Sequence, residues 1–348
     1  MSNIAKIDKN FKVETNIEKS DIRFYNARVE PFKIYGVYHE DGKFRRMPES
    51  VARTVSEGVY ALHSNTAGGR LRFRTNSPYI AISAKMPTVG KMSHFALCGS
   101  SGFDLYINAQ HYRSYIPPFN FDDGYEGVID VCGDDMKDVL INFPLYSDVS
   151  ELYIGLAESA VIEAPAPYSV EKPVVYYGSS VTQGGCASRP GTAYQGFISR
   201  ELDVDFINLG FSGNARAEKE MYDYIKTLDM SVFVMDYDYN APSAEYLKDT
   251  HEKMFLAIRE AQPELPIIMM SLPEFTLPEW AKERRDIIRQ TYERALLRGD
   301  KNVYFIDGPT LMALCGDEGT VDYTHPTDFG FYSMAKAVSK VLREILGK

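Results

Sequence analysis

Two periodicities divide the chain. Up to about residue 167, apolar positions alternate with polar or small ones. Leu71 and Phe73 do so, then Ile80, Ile82 and Ala84, with the turn residues Asn76-Ser77-Pro78 between them. A period of two sends successive side chains to opposite faces, so these runs predict half-buried strands. Similar strands are predicted at 103–107, 139–143 and 152–156, punctuated by Gly, Asn, Asp and Pro. Many short strands separated by turn signals predict a β-sandwich. Ala164-Pro165-Ala166-Pro167 reads as a linker, because two close prolines fix extended backbone and withhold ladder donors.

Beyond the linker, apolar strands alternate with helical spacing. Strands are predicted at 174–177, 206–209, 232–235, 267–270 and 303–306. Helices are predicted at 193–202, 218–228, 243–261, 281–297 and 328–346. The last keeps Phe331, Met334, Ala335, Val338, Val341, Leu342 and Ile345 on one face. The expected fold class is α/β: a three-layer parallel-sheet domain over 168–348, preceded by a β-sandwich domain over 1–167. Sites in such sheets lie at the carboxyl ends of the strands.

Composition narrows the function classes. The 348 residues carry a net charge of −10, which disfavours nucleic acid as a partner. No apolar run approaches a membrane span, and the polar stretch 1–16 lacks the apolar core of a secretory signal. Cys98, Cys132, Cys186 and Cys315 are widely spaced, which favours reduced thiols over a disulfide framework. A cytoplasmic location is the resulting expectation. The 24 tyrosines are read as core and strand residues rather than sugar platforms.

Four places could carry chemistry. The loop Gly178-Ser179-Ser180-Val181-Thr182-Gln183-Gly184-Gly185 follows the first strand of the second half. It lacks both phosphate-cradle glycine patterns, which leaves a serine nucleophile or a tight turn with a capping serine. Asp322-Tyr323-Thr324-His325-Pro326 precedes the last helix. There an Asp three positions before a His can hold imidazole Nδ1, or the His merely flanks the helix. Phe206 to Asn214 is a strand ending in a loop with Gly210 and Gly213. Its backbone N–H groups could face an oxyanion, or its glycines could only supply positive φ. Asp236-Tyr237-Asp238-Tyr239-Asn240 follows another strand. A calcium loop fails there, because Ala241 replaces the loop glycine and Leu247 the bidentate Glu. A dehalogenase-like phosphatase lacks its downstream partners. Asn240 as a side-chain donor and a plain polar loop both stay open. Cys186 is read as small buried packing rather than a thiol nucleophile.

Taken together, Ser180, Gly213, Asn240 and His325, with Asp322 beside the His, resemble the four blocks of the SGNH/GDSL hydrolases. Tyr177 to Gly184 and Ala187-Ser188-Arg189-Pro190-Gly191 resemble the branch with a preceding GxDLY domain, and Gly102-Phe103-Asp104-Leu105-Tyr106 matches that signature. Two departures stand out. Gly-Asp-Ser becomes Gly178-Ser179-Ser180, and Gly-x-Asn-Asp becomes the 236–240 segment. The resemblance implies a serine esterase with Ser180, Asp322 and His325 as catalytic triad. It implies an oxyanion hole of Ser180, Gly213 and Asn240, with neither cofactor nor metal. The implied substrate is a small acyl ester, with an acetyl or other short acyl group on a carbohydrate or polyol preferred. An acyltransferase and a non-catalytic carbohydrate-binding protein are the alternatives. No membrane partner is expected, and self-association is left open. The β domain is expected to pack beside the site and shape recognition of the alcohol, with all chemistry in the second half.

Overall fold

A computed structural model describes residues 17–348, so the reading of 1–16 as lacking a signal lies outside the described residues. The first half is a sandwich of two antiparallel sheets. One has the order Ile22–Asn26, Glu151–Ala157, Tyr79–Lys85, Gly124–Asp130. The other runs Ile162–Glu163, Arg70–Thr75, Lys137–Asn142, Phe103–Ile107, Gln110–Tyr115, with Lys33–Tyr35 also pairing Arg70–Thr75. The alternating residues meet between them: Leu71, Phe73, Ile80, Ile82, Phe103, Leu105, Ile141 and Ile154 share one core.

The second half is a five-stranded parallel sheet in the order Val204–Gly210, Val170–Gly178, Val232–Asp236, Ile267–Met270, Val303–Ile306. Its strands are apolar on both faces because helices cover both. Val175, Tyr177, Phe233, Met235, Ile267 and Met269 face helices Lys219–Ile225, Ala244–Ala261 and Glu279–Leu297. Val174, Tyr176, Val232, Val234, Ile268 and Met270 face Tyr194–Leu202 and Asp328–Leu346. In the last helix Phe331, Met334, Ala335, Val338 and Leu342 are buried as the spacing predicts, while Val341 and Ile345 lie at the edge of that core.

The period-two reading of the first half omits the helices Glu49–Val55 and Glu57–Leu62 and the single turn Leu97–Ser100; the first two matter most here. Their buried Ala52 and Val59 belong to the core of the parallel sheet, with Val175, Tyr177 and Phe211. On the opposite face Ala67, Phe95, Leu145 and Tyr146 join Val181, Ala187 and Tyr194. Two arginines seal the junction. Arg46 is buried under the Phe211 ring and donates to the carbonyls of Asn208, at 3.2 Å, and Gly210, at 2.5 Å. Arg70 pairs with Asp205 and donates to the Phe206 carbonyl at 2.9 Å. Their terminal guanidinium nitrogens donate to backbone carbonyls and to the Asp205 carboxylate, which offsets much of the cost of burying them, while Arg46 Nε is left without a partner.

Candidate active site

The strand Val170–Gly178 lies inside the sheet, between Val204–Gly210 and Val232–Asp236, and ends where they end, with Gly178 beside both Gly210 and Asp236. A Cβ on Gly178 would stand 2.0 Å from Thr182 Oγ1 and 2.2 Å from the Asp236 carbonyl oxygen, so only glycine allows this turn. A single helical turn, Ser180–Gln183, follows. Ser179 caps it, accepting from Val181 N–H at 3.2 Å. The capping and nucleophile readings of the loop therefore fall on two different serines. Ser180 is the first helical residue, where a backbone N–H has no intrahelical acceptor.

Ser180 Oγ lies 2.9 Å from His325 Nε2. His325 Nδ1 lies 2.9 Å from Asp322 Oδ2 and 3.2 Å from Oδ1. The Asp322 carboxylate also accepts the backbone N–H groups of His325, at 2.8 Å, and Thr324, at 3.1 Å. Partial burial pushes this carboxyl up. The hydrogen bonds from the His325 backbone and ring and from Thr324 outweigh it and hold it below the usual Asp range. Tyr323, at φ +63°, makes the left-handed turn that folds this loop back on Asp322. An ionised Asp322 fixes hydrogen on Nδ1 and leaves Nε2 with a lone pair toward the serine.

Gly213 also sits at positive φ, +71°, and a side chain there would meet nothing within 4 Å, so its backbone borders open space. Asn240 lies on the same side. Its Oδ1 accepts from Ala215 N–H at 3.2 Å, which makes the NH₂ the donor end of the amide. The structure thus gathers all five residues singled out by the resemblance at one sheet edge.

Residues other than these five hold them. Gln183 donates to Asn65 Oδ1 and the Leu145 carbonyl, both at 3.2 Å, and accepts from Ser212 N–H at 3.0 Å. It ties the Gly213 loop to the β domain. Tyr146 OH reaches the Ser180 carbonyl at 3.3 Å. Asp104 of the GxDLY signature is buried and accepts from Asn142 at 2.7 Å and from Gly191 N–H at 2.8 Å. Next to Gly191, Thr192 donates at 2.7 Å to Asp328, which also binds Ser188 at the head of the last helix. The signature thus supports the turn beneath the His325 loop. Asp236 and Asp238 are wholly buried. Burial raises Asp236 to about 8 against hydrogen bonds from Thr182 and Tyr194, and Asp238 to about 6 against Leu272 N–H and Arg284. Asp236 thereby anchors the turn that carries Ser180, through Thr182, and Asp238 anchors the loop that follows Val232–Asp236, through Leu272.

A cavity of about 490 Å³ adjoins the Asp–His loop, lined by Tyr239, Glu274, Phe275, Trp280, Asp317 and Tyr323 among others. Trp280, Phe275 and Tyr323 are exposed there, and Tyr239 OH bonds both Glu274 and Thr324. On the other flank of His325 stands His94 of the β domain, its ring centroid 5.5 Å away.

A serine, an imidazole and a carboxylate in hydrogen-bonded series at the carboxyl edge of a parallel sheet define a serine-hydrolase architecture. The chain belongs to the SGNH/GDSL family. Residues 171–343 match the GDSL-like lipase/acylhydrolase family, and residues 22–162 match the N-terminus of SGNH-hydrolase-type esterases. A GDSL-like lipase from Bacteroides ovatus superposes with a TM-score of 0.83 at 31% identity, over 94% of this chain and 98% of that one. The salicylyl-acyltransferase SsfX3 from a tetracycline biosynthetic pathway superposes at 0.75, with 20% identity over 94% and 98%. A family two carbohydrate esterase from Cellvibrio japonicus superposes at 0.62, with 13% identity over 94% and 98%. No curated protein sequence matches the chain.

Proposed function

We propose that this esterase-family protein removes a short acyl group from a carbohydrate or other polyol ester through an acyl-enzyme at Ser180. The observation that carries the reading is the unbroken series Ser180 Oγ, His325 and Asp322, with 2.9 Å at each join. His325 takes the Ser180 proton as Oγ attacks the ester carbonyl. The Ser180 and Gly213 N–H groups and the Asn240 amide receive the developing oxyanion. His325 then gives its proton to the departing alcohol, and a water activated by the same imidazole releases the acid. No residue in this scheme needs a cofactor.

The alcohol is assigned to the cavity beside the Asp–His loop, because the leaving oxygen must approach Nε2. Its aromatic walls suit the C–H faces of a sugar, and Glu274 and Asp317 suit its hydroxyls. The same triad serves acyl transfer if a second alcohol replaces water. The free cysteines Cys98, Cys132, Cys186 and Cys315 are in keeping with a cytoplasmic location, which is part of this proposal. Among the described residues no helix is long and apolar enough to cross a membrane.

The deciding experiment is labelling with a fluorophosphonate, followed by mass spectrometry and turnover of acetylated sugars with and without an acceptor alcohol. A modified Ser180 and released acetate are expected. A folded protein that fails to label would overturn the hydrolase reading, and acylated acceptor as the dominant product would replace it with acyl transfer.

A further inference from the structure

Three side chains that the triad scheme leaves out of account, or uses for something else, converge beside Ser180. His94 comes from the β domain, Cys186 from the turn after the nucleophile helix, and His325 from the loop before the last helix. One ligand atom from each lies within 4.8 Å of the other two. Both oxygens of Asp322 engage Nδ1 of His325, so the apex it offers is Nε2. Cys186 is buried and held at φ +72°, a left-handed conformation that disfavours residues with a side chain. His94 is exposed, with its ring against that of His325.

We infer that His94, Cys186 and His325 form an inhibitory site for a thiophilic divalent cation, Zn²⁺ being the natural fit. Imidazole nitrogen and thiolate sulfur are both zinc donors, and water or Ser180 Oγ can fill the fourth position of a tetrahedron. Bonds of about 2.0 Å to nitrogen and 2.3 Å to sulfur put ligand atoms about 3.3–3.5 Å apart in a tetrahedron. The present limit of 4.8 Å therefore closes by roughly 1–1.5 Å, most of it movement of the exposed His94. Asp322 already provides the carboxylate behind a ligating imidazole that orients zinc-bound histidines. Binding forms two Zn–N bonds and one Zn–S bond, and it releases the Cys186 thiol proton to solvent. Burial and the Asp322 charge hold that thiol up at about 12, so the metal must displace a tightly held proton. With Nε2 on the metal, His325 no longer accepts the Ser180 proton, and the hydrolase is switched off without any change of fold.

The binding part of this inference stands apart from the esterase reading, and only the inhibition rests on it. The test uses the purified full chain and two probes. Co²⁺ should give thiolate-to-metal charge-transfer absorption at one equivalent, and Zn²⁺ should displace it. Zn²⁺ should suppress ester turnover, and EDTA should restore it. Cys186→Ser should abolish the charge-transfer absorption. His94→Ala should weaken zinc at least about tenfold, since even a group behind a ligand costs 10- to 100-fold. Both variants should keep basal turnover and resist zinc, and Ser180→Ala should bind Co²⁺ like the unaltered protein. Absent charge-transfer absorption, or zinc affinity unchanged in both variants, overturns the site. Stoichiometric zinc binding that leaves turnover intact overturns the role of His325.

Discussion

Ser179 and Ser180 stand side by side with different surroundings. Ser179 Oγ is spent on the Val181 N–H, while Ser180 Oγ faces His325. Acyl or phosphonyl adducts should map to Ser180 alone, and Ser180→Ala should abolish them. Ser179→Ala should cost about 1 kcal/mol as a lost N-cap and keep part of the activity. An adduct on Ser179 would place the nucleophile wrongly. Asp322→Asn removes the ionised acceptor that fixes the imidazole. The rate should fall by as much as about 10⁴-fold with Tm little changed, and an unchanged rate would leave only a Ser–His pair. Asp236 governs stability rather than rate. Its folded value near 8 exceeds the unfolded one of about 3.9, so the native state holds the extra proton between those limits. Stability should therefore fall as pH rises from 4 toward 8. Asp236→Asn, which keeps an acceptor for Thr182, should flatten that slope in thermal melts. A slope identical to that of the unaltered chain would remove Asp236 from the account.

At the level of elements, the candidates Ser180, Asp322 and His325 were legible because each sits at a recognisable punctuation mark. Ser180 follows a strand and a turn glycine, and Asp322 and His325 precede a helix opened by Pro326 and Thr327. The parallel strands were legible because runs such as Val232 to Met235 are buried on both faces. Glu49–Val55 and Glu57–Leu62 were not, because seven and six residues hold too few turns to display a helical period. Nor was Gln183 readable, since its partner Asn65 is 118 positions away. Its place between two elements gives it a positioning role. Gln183→Met preserves bulk but unties Ser212, so kcat should fall roughly tenfold or more while KM moves little, if the Gly213 loop acts on the developing charge as proposed. A lower Tm with kcat intact would reduce Gln183 to a structural strut.

Across the whole molecule, the β domain is no tethered accessory. Its helices complete one face of the parallel sheet, and Leu145 and Tyr146 complete part of the other. The expectation that this domain sits beside the site is met by His94, Tyr146 and the Gln183–Asn65 tie. A chain beginning near Val170 would expose those faces and leave Asp205 without Arg70. It should be insoluble or bind hydrophobic dyes, and a soluble, fully active product would contradict the shared core.

The same junction has a consequence for how the protein can be divided. Covalent continuity between the halves is only the short Ala164–Pro167 segment, whereas apolar cores and buried arginines join them on both sides of the sheet. Cut there, the two pieces become partners in a bimolecular association. Neither alone should hydrolyse ester. Co-expressed, they should reassemble through that surface, and at limiting concentration the recovered rate should rise with the product of the two concentrations. The bond between residues 165 and 166 then serves mainly to set an effective concentration, a quantity that dilution of the severed pair would measure directly.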